Sequence, residues 1–390
     1  MMTKTKVVIV GEYPLSEIYS GYLRYIDRLS YYISHIDDIE LHVIGLGKEK
    51  MQFKKDNLNI HVVKRIFNLP YAFTITIDAW LLRREILKVE PDIVHAIGAE
   101  AYPLALLLIR NKYPTVLTML GIRGKESRFG CTLYSIFGMI VLKPLEKYVV
   151  SKIPNIVVEA LSIKNLVSEW TKSKIYVVPV GIEFEKMQEI QMHLNENPDI
   201  FLAHRLAKIK GIDILLKAVS KVINSISNIS VYIAGTGPQE NELKSLVKKL
   251  NLESNVKFLG FISDEEKYQY YKACKLVVVP SRWDCQPTTL FEAAASGKPV
   301  IASDMSNPGI VEDGKTGLIF KSENVEDLAD KIITLLKDEK LREYMGKAAK
   351  EKAKLYDWSK IAERTVEIYK EVIADFHDRK LNNKKRRKIL

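Results

Sequence analysis

Cysteine is scarce in this sequence. The chain has 390 residues and only three cysteines, Cys131, Cys274 and Cys285, an odd number at wide spacing. A disulfide framework is typical of an even number of cysteines, and a zinc site of closely spaced ones. The sequence therefore predicts neither kind of site, and we expect reduced thiols that are mostly structural.

Long hydrophobic runs are also missing. The longest charge-free run in an apolar region, residues 129–142, has 14 residues and contains Gly and Ser. A membrane-spanning helix needs roughly 20 apolar residues, so we expect no segment that crosses a membrane. The chain begins with MMTKTKVVIVGEYP, which enters a strand pattern without the apolar core of a signal peptide. A cytoplasmic location is therefore expected.

The composition of the chain is that of an ordinary globular protein. Hydrophobic residues make up 47% of the chain and charged residues 27%, values that exclude disorder, collagen and coiled coil as descriptions of the whole chain. At roughly 150 residues per domain, the length predicts two to three domains with buried cores.

Positive charge is in excess and unevenly distributed. The formal net charge is +11, which fits nucleic acid, a membrane surface or an anionic substrate as a partner. Residues 379–390 contain seven Lys or Arg and no acid, and residues 101–158 contain eight bases against two acids. One interpretation is that these two segments contact an anionic membrane surface, peripherally and on its inner face. The alternative for residues 101–158 is a core helix with a basic exit, and the sequence leaves both open. Nucleic acid is not expected, because the charge is not interleaved with aromatics in a recognisable module.

Short β-branched runs alternate with longer helical patterns along the whole chain. This alternation is typical of parallel sheets built from strand-helix-strand units. The predicted strands lie at residues 7–10, 41–44, 93–96, 115–119, 156–158, 176–178, 200–203, 231–234, 256–259, 276–279, 300–302 and 318–320. Twelve strands are too many for one ordinary sheet. The sequence therefore predicts an α/β fold with two doubly wound domains, whose ligands bind at the carboxyl ends of the strands.

A polar stretch at residues 183–199 ends in an Asn-Glu-Asn-Pro turn signal and indicates the domain boundary. The expected domains are 1–190 and 191–356. After the last predicted strand the pattern is helical. We expect a long helix within 357–378 and a separate basic tail, 379–390.

The most informative segment is residues 280–303, with the sequence PSRWDCQPTTLFEAAASGKPVIAS. A buried strand ends at its start, and Pro287 is placed to open a helix. The first turn of such a helix binds anions through backbone N–H groups. We expect Thr288, Thr289 and Leu290 to supply those groups.

Two acids in the same segment, Asp284 and Glu292, are eight residues apart. Across a loop-to-helix junction, this spacing brings two carboxylates near one bound group. The alternative is an ordinary strand-helix turn with two solvated acids, and the pattern of the segment alone does not choose between the two interpretations.

Two further loops of the second domain carry residues suited to a phosphate. Arg205 and Lys210 are five residues apart after the first strand of this domain, and such a pair can clamp a diphosphate. The alternative is a solvated loop. Gly235 and Gly237 form a Gly-x-Gly-Pro turn after the next strand, which is weak evidence on its own.

Together these segments resemble the retaining glycosyltransferases of family 4, and the resemblance covers nearly the whole chain. It implies the GT-B fold, in which two Rossmann-like domains face each other across a cleft and a C-terminal helix crosses back to the first domain. It also implies that the first domain binds a sugar or lipid-linked acceptor. The second would bind a nucleoside diphosphate sugar, with hexosyl transfer that retains the anomeric configuration.

The resemblance implies roles for individual residues. Asp284 would contact the hydroxyls of the transferred sugar, Glu292 would contact the ribose, and Arg205 and Lys210 would bind the diphosphate. Arg205, Lys210 and Asp284 are therefore the expected catalytic residues. The expected donor-binding residues are Gly21, Gly235, Gly237, Gln286, Pro287, Thr288, Thr289 and Glu292.

The sequence departs from the family pattern at several positions. Asp284 stands where Glu is usual, and Gln286-Pro287 replaces the usual Phe-Gly. The family usually has two adjacent glycines where this chain has Ser20-Gly21, so Gly21 is the only glycine there. Leu120 occupies a position where His is expected, which removes one polar candidate from the active site.

Three residues are candidates for the acceptor side. His95 ends the strand pattern PDIVH and is expected to face the acceptor, although a satisfied structural histidine is the alternative. Arg123 and Arg128 lie in a basic, glycine-containing segment and suit a phosphate on an acceptor or lipid head group.

No Asp-x-Asp triplet occurs in the chain. Metal-dependent transferases commonly use such a triplet, so no metal is expected, and no cofactor besides the donor substrate. Two alternatives stay open at this point. One is a nucleotide-sugar epimerase of the GT-B fold, and the other is a non-catalytic nucleotide-sugar-binding protein.

Overall fold

The computed structural model describes residues 4–13, 21–66, 71–98, 101–121 and 143–389. The chain forms two compact units. The first unit comprises Met1–Gly181 and Trp358–Leu390, and the second comprises Ile182–Asp357. The division therefore follows Gly181, several residues before the boundary expected at residue 190.

The first unit is built on an eight-stranded sheet. Its strands are β1 (Thr5–Val10), β2 (Ile39–Gly47), β3 (Met51–Lys55), β4 (Leu58–Lys64), β5 (Ile93–Ile97), β6 (Thr115–Met119), β7 (Asn155–Val158) and β8 (Lys174–Val177). The order across the sheet is β3-β4-β2-β1-β5-β6-β7-β8. The helices that precede the second unit are α1 (Gly21–Ser34), α2 (Tyr71–Val89), α3 (Ala101–Leu107), α4 (Lys143–Val150) and α5 (Leu161–Ser168).

The edge hairpin of β3 and β4 was not predicted from the sequence. These two strands pair antiparallel, whereas the other neighbours in the sheet are parallel. All residues of β3 are exposed, so the burial alternation that identifies a half-buried strand is absent there. Asp56, between the strands, has a left-handed φ of 51°, a conformation that Asp tolerates better than most residues.

The second unit contains a six-stranded sheet. Its strands are β9 (Ile200–Ala203), β10 (Val231–Ala234), β11 (Val256–Gly260), β12 (Leu276–Val279), β13 (Val300–Ser303) and β14 (Gly317–Phe320). Its helices are α6 (Phe184–Glu189), α7 (Ile212–Val222), α8 (Glu240–Lys249), α9 (Asp264–Ala273), α10 (Thr288–Ala295), α11 (Val325–Lys337) and α12 (Glu339–Ala353), with short 3-10 turns at Lys208–Lys210 and Lys354–Tyr356.

The strands of the second sheet are all parallel and run in the order β11-β10-β9-β12-β13-β14. Successive residues of β9 face opposite layers: Ile200 and Leu202 belong to one buried cluster, and Phe201 belongs to another. The chain reverses its direction across the sheet between β9 and β12. Doubly wound sheets bind ligands at the carboxyl ends of the strands at such a switch point.

The C-terminal helix α13 (Trp358–Ile389) packs on the first unit. Its first residue, Trp358, lies in the core and meets the ring of Tyr25 edge-on, with 5.5 Å between ring centroids. The helix continues through the basic segment to Ile389, so the expectation of a separate tail after residue 378 is wrong. No Gly or Pro interrupts the segment, and nothing local ends the helix.

Each of the twelve strands predicted from the sequence is present, several with slightly shifted ends. Within the described ranges, no helix combines the length and the apolar character that crossing a bilayer requires.

Candidate active site

Two loops at the switch point of the second sheet carry the expected catalytic residues. β9 and β12 are parallel neighbours, so their carboxyl ends lie side by side. Arg205 follows β9, Lys210 ends the 3-10 turn Lys208–Lys210, and Asp284 follows β12. The fold thus brings the loop that carries Arg205 and Lys210 to the same edge as Asp284, which lies more than 70 residues further along the chain.

Lys210 and Asp284 form an ion pair between Lys Nζ and Asp Oδ2. Their side chains are 22% and 15% exposed, so a ligand can still reach both groups. The second oxygen of the carboxylate, Oδ1, accepts a 3.3 Å hydrogen bond from the backbone N–H of Gln286. The structure therefore pairs the expected cation with the expected acid.

Arg205 is exposed. Of the residues described in the second unit, none forms an ion pair or a hydrogen bond with its guanidinium. Next to it, burial of the imidazole and the nearby charge of Lys210 lower the pKa of His204 well below its ordinary value. His204 is therefore neutral, and its buried Nε2 has no hydrogen-bond partner among the described residues.

The helix α10 begins after Pro287, as expected, but its first turn differs from the prediction. The N–H of Leu290 donates to the carbonyl of Pro287 at 3.1 Å, so Leu290 does not supply a free N–H group. Thr289 is buried, and its hydroxyl donates to the carbonyl of Ala203 at 3.0 Å. Thr288 is exposed at the helix start. The Thr289 side chain thus joins this helix to the end of β9.

Glu292 is buried in α10 and forms an ion pair with Lys267 of α9, with 2.9 Å between Oε1 and Nζ. Burial alone would lower the pKa of Lys267. The carboxylates of Glu292 and Asp264 outweigh burial and raise the pKa above its ordinary value. Lys267 therefore stays charged and holds the Glu292 carboxylate in place. Sequence reasoning did not identify Lys267, because its contact with Glu292 joins two separate helices.

Gly235 and Gly237 lie where two backbones touch. Gly235 has a φ of +121°, and a Cβ there would collide with the carbonyl oxygen of His204. A Cβ on Gly237 would collide with the carbonyl oxygen of Leu206. These glycines allow the loop after β10 to pack against the loop that holds Arg205. The structure thus gives them a packing role in addition to the donor-binding role that we expected.

Arg282 was not predicted as a site residue, and it joins the two loops. Its guanidinium makes a two-pronged contact with Asp213, with both distances 2.8 Å. It also donates to the carbonyl of Lys208 at 2.7 Å and to Glu323 at 2.8 Å, while its backbone N–H donates to Ile209 at 2.8 Å. These hydrogen bonds fix Lys208 and Ile209, which precede Lys210, to the segment that carries Asp284.

The Asp213–Arg282 contact is strongly electrostatic. Burial alone would raise the pKa of Asp213, but the Arg282 guanidinium more than offsets this and holds the pKa below its ordinary value. The sequence shows Arg282 two residues before Asp284, but it contains no signal that identifies Asp213 as the partner.

The expected site residues of the first unit have different surroundings. Gly21 is the first residue of α1, and a Cβ there would meet none of the described atoms. Leu120 is partly buried and packs against the core of this unit. Arg123 and Arg128 lie outside the described residues.

His95 does not face an acceptor site, which corrects the expectation. It is the third residue of β5 and is fully buried. Its Nδ1 contacts the hydroxyl of Tyr369 and its Nε2 the hydroxyl of Thr118, both at 2.6 Å. Burial lowers the pKa of His95 to about 3. His95 is therefore a neutral structural residue that joins the sheet to α13.

Two Rossmann-like units in one chain, with candidate phosphate-binding cations at the switch point of the second, are the arrangement of GT-B glycosyltransferases. Sucrose-phosphate synthase from Thermosynechococcus elongatus superposes with a TM-score of 0.78 at 18% identity, covering 95% of this chain and 100% of that protein. The Anabaena protein HepE, solved with UDP and glucose, superposes with a TM-score of 0.68 at 17% sequence identity. The match covers 94% of this chain and 100% of HepE. The chain therefore has the GT-B fold.

The sequence comparisons specify the class further. Residues 183–352 match the family described as Glycosyl transferases group 1, a range that lies within the second unit. An uncharacterized glycosyltransferase of Methanocaldococcus jannaschii is 27% identical over 348 residues, which are 87% of this chain and 92% of that relative. These findings support a glycosyltransferase, and the similarity to the group 1 family lies in its second unit.

The buried, neutral state of His95 predicts a specific pH dependence of stability. Its folded-state pKa is depressed, so the unfolded chain takes up a proton that the folded chain does not. The contribution of His95 to the free energy of unfolding is complete above about pH 7. It declines as the pH falls and is about 2 kcal/mol lower near pH 5. We expect His95→Gln to remove this part of the decline in denaturant titrations at the two pH values. Replacing the exposed His377 by Gln is the control, and an equal decline in the wild type and His95→Gln would contradict the assignment.

The role of Arg282 as a connection between loops predicts the effect of Arg282→Lys. The variant keeps the charge but loses the forked contact, so we expect about 1–3 kcal/mol lower stability of the second unit. Backbone amides of both loops should then exchange faster with deuterium. The control is Lys217→Ala, because Lys217 also contacts Asp213, at 3.5 Å, but does not join the loops. Unchanged exchange near Lys210 in Arg282→Lys would show that Arg282 does not position this loop.

Proposed function

We propose that this protein moves a hexose from a nucleoside diphosphate sugar to an acceptor with retention of anomeric configuration, as the resemblance to family 4 implies. The observation that carries the proposal is the ion pair of Lys210 with Asp284 at the switch point of the second sheet, with the exposed Arg205 in the same loop as Lys210. The UDP and glucose bound to HepE lend support to a nucleotide-sugar donor. The comparisons do not favour an epimerase or a non-catalytic protein.

Arg205 and Lys210 bind the diphosphate in this proposal. Lys210 pairs with Asp284, and a diphosphate, which offers more negative charge than one carboxylate, competes for the same ammonium group. Arg205 has no competing carboxylate among the described residues of its unit, so its forked guanidinium can bind a phosphate directly. The unpaired Nε2 of the neutral His204 is suited to a hydrogen bond with the same ligand.

The two acids recognise the hydroxyls of the donor. Asp284, released from Lys210 by the diphosphate, accepts hydrogen bonds from the transferred sugar. Glu292 accepts them from the ribose, and its contact with Lys267 keeps the carboxylate in one orientation. The helix α10, with Thr288 and Thr289 at its start, adds the positive end of its dipole near the phosphates.

The chemical step needs a stabilised leaving group. The bond between the anomeric carbon and the phosphate oxygen breaks, and its electron pair goes to the departing nucleoside diphosphate. The acceptor oxygen forms the new bond on the same face of the sugar, and its proton passes to the departing phosphate. Arg205 and Lys210 neutralise the charge that develops, so no metal is part of the proposal.

The acceptor is proposed to be a sugar, a phosphorylated compound or a lipid-linked compound bound by the first unit, with contributions from Arg123 and Arg128. We propose a cytoplasmic protein that contacts an anionic membrane surface through residues 379–390 and 101–158. The charge of these two segments supports this part of the proposal.

The function is tested first by binding and then by turnover. A thermal-shift panel of nucleoside diphosphate sugars identifies the donor, and proton NMR of the product shows whether the anomeric configuration is retained. Turnover of the donor into an epimer without acceptor would replace the proposal by an epimerase, and donor binding without turnover on any acceptor would favour a binding protein. An inverted product would exclude the retaining mechanism.

The two cations provide the sharpest mutational prediction. We expect Arg205→Ala and Lys210→Ala each to lower kcat/KM at least about 10²-fold, because each variant removes a fixed stabiliser of the developing charge. The matched control is Lys208→Ala. Lys208 is exposed in the same turn, and the variant should keep near-wild-type rates. Circular dichroism checks that all three variants fold, and near-wild-type rates in the first two variants would refute the assignment.

A further inference from the structure

A groove of about 780 Å³ lies on the first unit, away from the carboxyl ends of its strands. Thr115 and Asn155, the first residues of β6 and β7, are among the residues that line it. These positions place the groove at the amino-terminal edge of the sheet. The C-terminal helix α13 forms another wall through Phe376. The volume is in the range of small-molecule sites, and the groove belongs to neither expected substrate site.

The groove collects positive charge without compensation. Arg110, Lys152, Arg379 and Lys380 line it, and none of its lining residues is an Asp or Glu. Elsewhere in the described chain, many bases are paired with carboxylates, as Lys174 is with Glu371. The four bases of this groove form no ion pair among the described residues. Four converging cations repel one another, and a bound anion removes that repulsion.

Backbone carbonyls hold three of these cations in position. Arg110 donates to the carbonyl of Leu107 at 2.8 Å. Arg379 donates to the carbonyl of Asp375 at 3.1 Å, and Lys380 donates to the carbonyl of Lys112 at 3.3 Å. Carbonyl contacts orient the side chains but leave their charge in excess. The cations are therefore prearranged for an anionic ligand.

An aromatic ring adds an apolar surface to the groove. The ammonium of Lys380 lies 4.5 Å from the centroid of the Phe376 ring. The groove thus offers hydrogen-bond donors to phosphate oxygens and an apolar wall to an aliphatic group.

The helix that forms one wall identifies the source of the anion. Beyond Lys380, α13 continues to Ile389, and residues 384–388 of this continuation are all Lys or Arg. A soluble phosphate compound would need only the groove. A run of basic residues in the same helix is instead complementary to an extended anionic surface. Each Lys or Arg near such a surface strengthens the attraction of the protein to it.

We propose that this groove binds the phosphate of an anionic phospholipid head group and so orients the first unit on a membrane. The inference deepens the proposed membrane contact and rests on it, but it does not depend on the sugar-transfer reaction. The groove bases hold one phosphate, and Phe376 lies against the glycerol and the start of the acyl chains.

The test is co-sedimentation of the full-length protein with phosphatidylcholine vesicles, with and without phosphatidylglycerol. The groove variant is Lys152→Glu combined with Arg379→Glu, and the control is Lys48→Glu with Lys172→Glu, two exposed lysines of the same unit. A tail variant combines Lys384→Glu and Lys385→Glu. We expect the groove variant to bind phosphatidylglycerol vesicles at least roughly tenfold more weakly than the control variant does.

The outcomes separate the inference from the proposal on which it rests. If the wild type does not bind phosphatidylglycerol vesicles, the membrane contact itself is wrong. If the wild type and the groove variant bind equally, or only the tail variant is weakened, the groove is not the head-group site although the membrane contact stands. Equal losses in the groove and control variants would show a non-specific charge effect and overturn the inference. Tight binding of inorganic phosphate, without vesicle binding, would assign the groove to a soluble ligand.

Discussion

The candidate donor site depends on one close backbone contact between the loop after β9 and the loop after β12. Gly211 has a φ of +66°, and any Cβ at this position would collide with the carbonyl oxygen of Pro280. Only glycine permits both the conformation and the approach. Lys210 directly precedes this contact and Asp284 lies four residues after Pro280, so the contact determines whether their side chains can meet. Arg282 then secures the same junction through Asp213 and the carbonyl of Lys208.

Three of the cations around this junction are paired with carboxylates. Asp284 compensates Lys210, Asp213 compensates Arg282 and Glu292 compensates Lys267. Arg205 and Lys208 are exposed and form no ion pair with the residues described in the second unit. The ion pairs avoid burying several uncompensated cations, whose mutual repulsion would destabilise the fold.

Much of this organisation could be predicted from the sequence, and the failures have identifiable causes. The buried strands were found because apolar β-branched runs report burial on both faces, whereas the exposed β3 has no such signal. The positions of Arg205, Lys210 and Asp284 at one edge could be predicted because loops after neighbouring parallel strands meet there, while their roles stay predictions. Lys267 and Arg282 were missed because their partners come from other elements. The prediction that His95 faces an acceptor was wrong. A strand pattern shows that a residue lies near the end of a strand, but it does not show whether another element buries its ring, as α13 does here through Tyr369.

The length of α13 has a mechanical consequence. Its 32 residues form a rod of about 48 Å, of which the first part is fixed in the core through Trp358 and Tyr369. A disordered basic tail would act as a loose tether and would permit any orientation of the protein to which it is attached. A helix that is continuous with the core instead has a fixed direction relative to the sheet of the first unit. A partner that binds the basic end of the helix therefore also restricts the orientation of that sheet.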